Sequence, residues 1–251
     1  MVTSWIVSAI LIVAIRLAVR RLQLVPTRGQ AMVEGVVEGI LGLVEPIVGK
    51  RAVKASFPLL ASFFLFILVQ NWSGLFPGVG TIGWGVDGEH GFHIVKPLIR
   101  PGNADMNGTL ALTLVHFIGW LYIVLKYAGP KVIIEDWFGN KADKNEVPLP
   151  IYYFLTIIFL FVGIIEVVSV LFRNVSLPFR LFGNVFGGEN LLVQMTGLFK
   201  WGLPIPFYML ELLVGFVQAL VFTLLVSVYI GLLCNHGDDH EHAAGEGHGA
   251  H

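Results

Sequence analysis

Apolar residues fall along this chain in long runs separated by short polar stretches, and one run alone carries a two-faced helical pattern. Residues 55–75, 106–127, 148–201 and 204–234 are almost continuously apolar. Each matches or exceeds the ~20 residues that carry an α-helix across ~30 Å of bilayer hydrocarbon. Residues 4–23 form a further apolar run, and its basic cluster, Arg16, Arg20, Arg21 and Arg28, comes at the end instead of the beginning. A secretory signal has the reverse order, so 4–23 reads as a first span. Residues 29–49 differ. Val33, Val36, Val37, Ile40, Leu41, Val44 and Ile47/Val48 recur at helical spacing, with Glu34, Glu38 and Glu45 on the other side. That pattern predicts an amphipathic helix lying at the membrane interface, ended by Pro46 and Gly49.

Composition agrees with a membrane protein. The 251 residues are 55% hydrophobic and 13% charged, about half the charge of a soluble domain. A net charge of −1 points away from nucleic acid, and the single Cys234 excludes an internal disulfide. The polar stretches are the Gly/Pro-rich loop 76–105, the mixed-charge segment 128–147 and the His-rich tail 235–251, which is expected to be disordered. The loop holds Asp87, Glu89, His90 and His93. A solvated loop is the preferred reading, since a metal site needs three or four convergent ligands. His116, with no second His or Cys one turn away, reads as a hydrogen-bonded helix residue. No metal or cofactor is expected. Lys and Arg number seven over 16–54, four over 126–144 and two over 76–105. The first two regions are therefore expected on the cytoplasmic side and the loop 76–105 outside, with the N-terminus outside.

The informative anomaly is Arg180, inside Ser176-Leu-Pro-Phe-Arg180-Leu-Phe-Gly-Asn184-Val-Phe-Gly-Gly-Glu189 and flanked by apolar sequence. An arginine stays ionised, and at mid-bilayer it costs about 2.5–3.5 kcal/mol even on the lenient insertion scale. Either it is not deep, or a negative partner meets it. Two topologies fit. A turn at Asn174–Pro178 would make two upright spans and put Arg173 and Arg180 at the surface. A single helix would run roughly 75 Å and have to tilt steeply. Spacing favours the single helix: Glu166, Arg173, Arg180 and Gly187 repeat every seven residues and share one face. Glu189, nine residues from Arg180, falls near the opposite side. In the last run Glu211 and Gln218 are again seven apart. Polar groups in apolar helices line water or meet partners.

These residues resemble subunit a of the F-type ATP synthase. Its signature is S-L-x-x-R-L-F-G-N with a Glu five residues on, matched by Ser176, Leu177, Arg180, Leu181, Phe182, Gly183, Asn184 and Glu189. Gln218-Ala-Leu-Val-Phe222 is similar to the family's Q-A-x-x-F, Asp105-Met-Asn107-Gly-Thr109-Leu110 to its D-x-N-x-T-L, and Glu166 holds the place of its acidic residue fourteen before the Arg. The resemblance implies an all-α integral membrane protein of about five membrane helices plus the surface amphipathic helix. Its last two helices, 148–201 and 204–234, would form a long tilted hairpin against a ring of c subunits.

It also implies a function. The chain is not an enzyme by itself but would provide two aqueous half-channels, with Arg180 facing the ring carboxylates. Glu189, Glu211, Asn184 and Gln218 would line the half-channel open to the outside, and Glu166 would sit nearer the cytoplasmic exit, with Arg173 beside it. Gly183, Gly187 and Gly188 would let the ring come close. Asp105 is a secondary candidate. Implied partners are the c ring, b-type peripheral-stalk subunits, the rest of the synthase and the lipid bilayer. The implied place is an energy-coupling membrane, a bacterial inner membrane, with the C-terminus cytoplasmic. Some family members carry His in the pair matching Glu189 and Glu211; two acids could share a proton or a cation, which keeps sodium open beside the proton. The competing class is a stand-alone secondary transporter or channel using an intramembrane Arg/Glu relay. It would show internal repeats, and no second copy of the 176–189 pattern occurs.

Overall fold

A computed structural model describes residues 2–20, 26–76, 79, 83–88, 91–97, 100–127, 129, 149–198, 202 and 204–246, apart from the side chains at 2, 85–97, 149–154 and 235–246. Six helices lie among the described residues. They are α1 (Val2–Ala18), α2 (Arg28–Val48), α3 (Lys50–Ser73), α4 (Met106–Tyr127), α5 (Leu149–Leu198) and α6 (Pro204–Glu246). Helices α3 to α6 each contain a stretch long and apolar enough to cross a membrane, and the apolar stretch of α1, Thr3–Ala18, is shorter. The chain is an all-α membrane protein, as its apolar runs predict. The segment 128–147, expected to be cytoplasmic, lies outside the described residues except at 129, as do Glu89, His90 and residues 247–251.

Local chemistry sets the helix boundaries. Thr27 caps α2, its hydroxyl accepting from the Gln30 amide at 3.4 Å. Helix α2 runs through Pro46, which was expected to end it, and stops at Gly49. Gly49 has φ 84°, a left-handed conformation open to glycine, and there the chain turns directly into α3. Asp105 caps α4, its Oδ1 accepting from the Asn107 amide at 3.0 Å; this gives the Asp-x-Asn stretch a structural purpose. Inside the loop 76–105, Gly83–Gly88 (β1) and Gly91–Pro97 (β2) pair antiparallel, with an irregularity at Trp84/Gly85. The sequence pattern predicts loop alone over this stretch.

The core is built around α6. Ala219, Phe222, Val226 and Ile230 are fully buried against Leu60, Phe63 and Ile67 of α3, Trp120 and Val124 of α4, and Val44 and Val48 of α2. Phe222 meets Phe63 edge-on, with ring centroids 5.6 Å apart, a preferred aromatic geometry. His116 sits buried between the same two rings at 5.9–6.2 Å, and its Nδ1 has no hydrogen-bond partner. The expectation of a hydrogen-bonded His116 is corrected to an aromatic contact. Gly231 lets α6 lie on the backbone of α2, where a Cβ would overlap the Ile47 carbonyl.

Helix α5 is continuous from Leu149 to Leu198, with Pro178 inside it. The turn at 174–178 is therefore excluded. Its apolar stretch of 44 residues spans about 66 Å. Keeping that length within ~30 Å of hydrocarbon requires a tilt of roughly 60°. Helix α6 returns antiparallel to form the hairpin. It continues past the expected boundary at 234 to Glu246, so residues 235–246 are helical backbone where a disordered tail was expected.

Candidate functional site

The faces of α5 separate cleanly. Leu177, Leu181, Val185, Gly188 and Leu192 are buried, a spacing of three to four residues that marks one helical stripe. This stripe meets α6. Ser176, Arg180, Gly183 and Gly187 are exposed on a different face. Glu189 flanks the buried stripe on the other side, as its nine-residue offset from Arg180 predicts.

Three contacts that involve polar residues join α5 to α6 along this seam. At one end Gly188 is buried so closely under Glu211 that a Cβ would overlap the Glu211 carboxyl. One turn toward the N-terminus of α5, Asn184 Nδ2 donates to Gln218 Oε1 at 2.8 Å. Farther along, the Arg173 guanidinium lies over the Tyr229 ring, 5.0 Å from its centroid. Four residues of α5 match seven of α6 between the first two contacts, and eleven match eleven between the second and the third. Apolar Leu177 and Leu181 fill the interval before Arg173. Gln218 Nε2 is left buried without a partner.

Arg180 and Glu166 have no ion pair or hydrogen bond from any described residue. Arg180 is exposed and Glu166 half-buried. Arg173 turns to Tyr229, so no Arg173–Glu166 pair forms. Gly183 and Gly187 open onto empty space, with nothing near where a Cβ would stand. Gly188 is a correction: it serves the contact with Glu211 inside this chain and does not belong to the open face. The helical repeat could have shown this, since 188 is seven residues from 181 and eleven from 177.

Sequence reasoning missed Arg100. Its Nη2 lies 3.3 Å from Glu189 Oε2. The two are 89 residues apart and one lies in a loop, so no periodicity links them. The arginine is carried by a fixed segment. Gly102 N donates to Gln70 Oε1 at 3.3 Å, and Asn103 Nδ2 donates to Asn71 Oδ1 at 2.7 Å. Asn71 Nδ2 and Trp72 Nε1 in turn donate to the carbonyls of Gly215 and Leu212 on α6, at 3.1 and 3.2 Å. The polar end of the hairpin is thus tied to α3 and to the segment before α4.

Residues 1–231 match the family model described as ATP synthase A chain. The chain belongs to that family. It is also 31% identical over 233 residues to ATP synthase subunit a 2 of Bradyrhizobium sp. (strain BTAi1 / ATCC BAA-1182), covering 92% of this chain and 86% of that one. Family membership and the apolar helices together make this a multi-pass subunit of ATP synthase in an energy-coupling membrane.

Proposed function

We propose that this chain is the ion-translocating stator subunit of an F-type ATP synthase, without catalysis of its own. Arg180 faces the ring of c subunits and meets each passing carboxylate in turn. Opposite charge at close range favours the ionised carboxylate, whereas burial against lipid favours the neutral one. A ring carboxylate therefore carries its ion through the lipid and releases it on reaching Arg180. Glu211, Glu189, Asn184 and Gln218 line a half-channel reached from the loop side, and Glu166 lies toward the exit on the other side. The loop side is outside, and both the segment 128–147 and the C-terminus are cytoplasmic, in a bacterial inner membrane. The c ring and b-type stalk subunits are the direct partners, and the proton is the coupling ion, with sodium the alternative.

One observation carries this reading. Arg180 stands bare on an apolar helix, beside two glycines that open onto empty space, and the described acids Glu166, Glu189 and Glu211 form no pair with it. A stand-alone Arg/Glu relay would need its counter-charge in this chain, and no described residue supplies it. The test is Arg180→Ala in the whole synthase. The complex is expected to assemble, and ion-driven ATP synthesis to fall below detection. Normal coupled synthesis in that variant would refute the assignment.

A further inference from the structure

The Arg100–Glu189 pair is held by more than two flexible side chains. Its exposure, 43% for Arg100 and 30% for Glu189, leaves both partly open to water. The backbone beneath Arg100 is fixed on three sides. Its own amide donates to Thr3 Oγ1 of α1 at 3.4 Å. The next residue, Pro101, is buried beside Gly74, where a Cβ would come within 3.0 Å of its ring. Gly102 and Asn103 are bound to Gln70 and Asn71. Those two residues close α3, and Asn71 and Trp72 bind the turn of α6 that follows Glu211. One frame therefore places Arg100 against Glu189 and Glu211 against Gly188, the neighbour of Glu189.

We infer that Arg100 is a positioning residue at the loop-side mouth of the ion path, occupying Glu189 so that Glu211 is the acid open to the arriving cation. This inference rests on the half-channel reading above. The described groups at this junction from each packed element are Glu189 from α5, Glu211 from α6 and Arg100 itself. Helix α1 offers Thr3, and α3 offers Gln70 and Asn71, none of them titratable. Asp105 on the same segment is engaged at the cap of α4. The balance is one base to two acids. A cation that reaches Glu189 has to displace a tethered guanidinium, whereas one that reaches Glu211 does not. Arg100 also lowers the local cation concentration by repulsion. Both effects set how much loop-side ion is needed for half-maximal turnover.

The experiment uses the complete synthase in liposomes with the loop side facing the lumen. ATP synthesis is followed at a constant electrical potential, with the lumen loaded at a series of pH values and, separately, at a series of sodium concentrations at fixed pH. For Arg100→Gln the half-saturating lumenal concentration of the coupling ion is expected to fall about three-fold, the scale of a partly exposed ion pair. Arg100→Lys, which keeps the charge, is expected to restore the wild-type value. In a Glu189→Gln background, Arg100→Gln should shift half-saturation less than it does with Glu189 present, because only the repulsion remains. A purely structural anchor would instead lower the amount of assembled complex and the maximal rate, and leave half-saturation unmoved. An unchanged half-saturation in Arg100→Gln at normal assembly overturns the inference, whatever the maximal rate. If Arg180→Ala abolishes coupled synthesis in the same liposomes, that failure leaves the half-channel reading standing. If Arg180→Ala remains coupled, the reading itself fails.

Discussion

The stretch of α5 from 184 to 189 and the stretch around Arg180 carry equally polar groups and treat them in opposite ways. In the first, the polar side chains of α5 meet residues of the same chain. Asn184 binds Gln218, Gly188 makes room for Glu211, and Glu189 meets Arg100. In the second, Arg180 faces outward with no partner among the described residues, beside glycines that leave open space. The contrast is sharper still with Arg173, two turns away, which rests on Tyr229. A charge in an apolar setting is expensive without a partner. Where this chain resolves that expense internally, the site belongs to the subunit. Where it does not, the function proposed above places the missing group on another subunit.

The open face makes the strongest test of that contrast. Gly187→Leu adds a side chain where nothing in this chain stands within 4 Å. Folding and membrane insertion of the isolated chain are expected to stay as in the wild type. Assembly into active synthase is expected to be lost, because the bulk blocks close approach by a neighbour. The check is thermal stability of the purified chain beside ATP-driven ion pumping in membranes. Full pumping activity would mean that the face meets lipid only, and the contrast would disappear.

How far the sequence revealed this arrangement depended on the range of each interaction. Apolar runs located α3 to α6, and the α4 bounds of 106–127 coincide with its helix, because burial in lipid is written into consecutive residues. The seven-residue repeat from Glu166 to Gly187 foretold the unbroken α5, since a shared face has meaning on a single helix alone. The β-hairpin at 83–97 was hidden by its glycines, which weaken strand patterning. Arg100–Glu189 and Gly188–Glu211 join separate elements, and no local period encodes a contact of that kind. The helical extension 235–246 went against composition, since acidic, Gly- and His-rich sequence reads as disordered. Arg180 was legible for the opposite reason: a charge set among apolar residues shows in the sequence itself.

On the other side, Glu211 tests whether close packing against α5 means a role in transport or in packing alone. Its carboxyl lies against Gly188, which leaves room for no Cβ. Glu211→Gln keeps the shape and removes the ionisable group. Ion-driven synthesis is expected to slow by up to roughly 100-fold, the low end for a lost acid–base group. Coupling should hold, because Arg180 is intact. Passive ion leak and synthesis rate are measured on the same vesicles. A leak as large as that of Arg180→Ala would contradict a channel-lining role, and an unchanged rate would reduce Glu211 to packing.

The smallest effect is expected where a charge is paired but lies away from the polar end of the seam. Tyr229→Leu removes the ring beneath Arg173 and keeps most of the apolar bulk. A cation–π contact at a partly exposed site contributes about 0.5–1 kcal/mol. The backbone carbonyl of Tyr229 that accepts from Trp120 Nε1 at 3.3 Å is untouched by the substitution. Half-buried Arg173 can then turn to water or headgroups by extending its side chain. Synthesis is therefore expected to stay within about two-fold of wild type, with a slight fall in thermal stability that fits the contact energy. The comparison between the two arginines would break if Tyr229→Leu disabled synthesis as fully as Arg180→Ala. Arg173 would then be acting on the ion and not merely resting on a ring, and the partner seen in this chain would be an incomplete account of what it does.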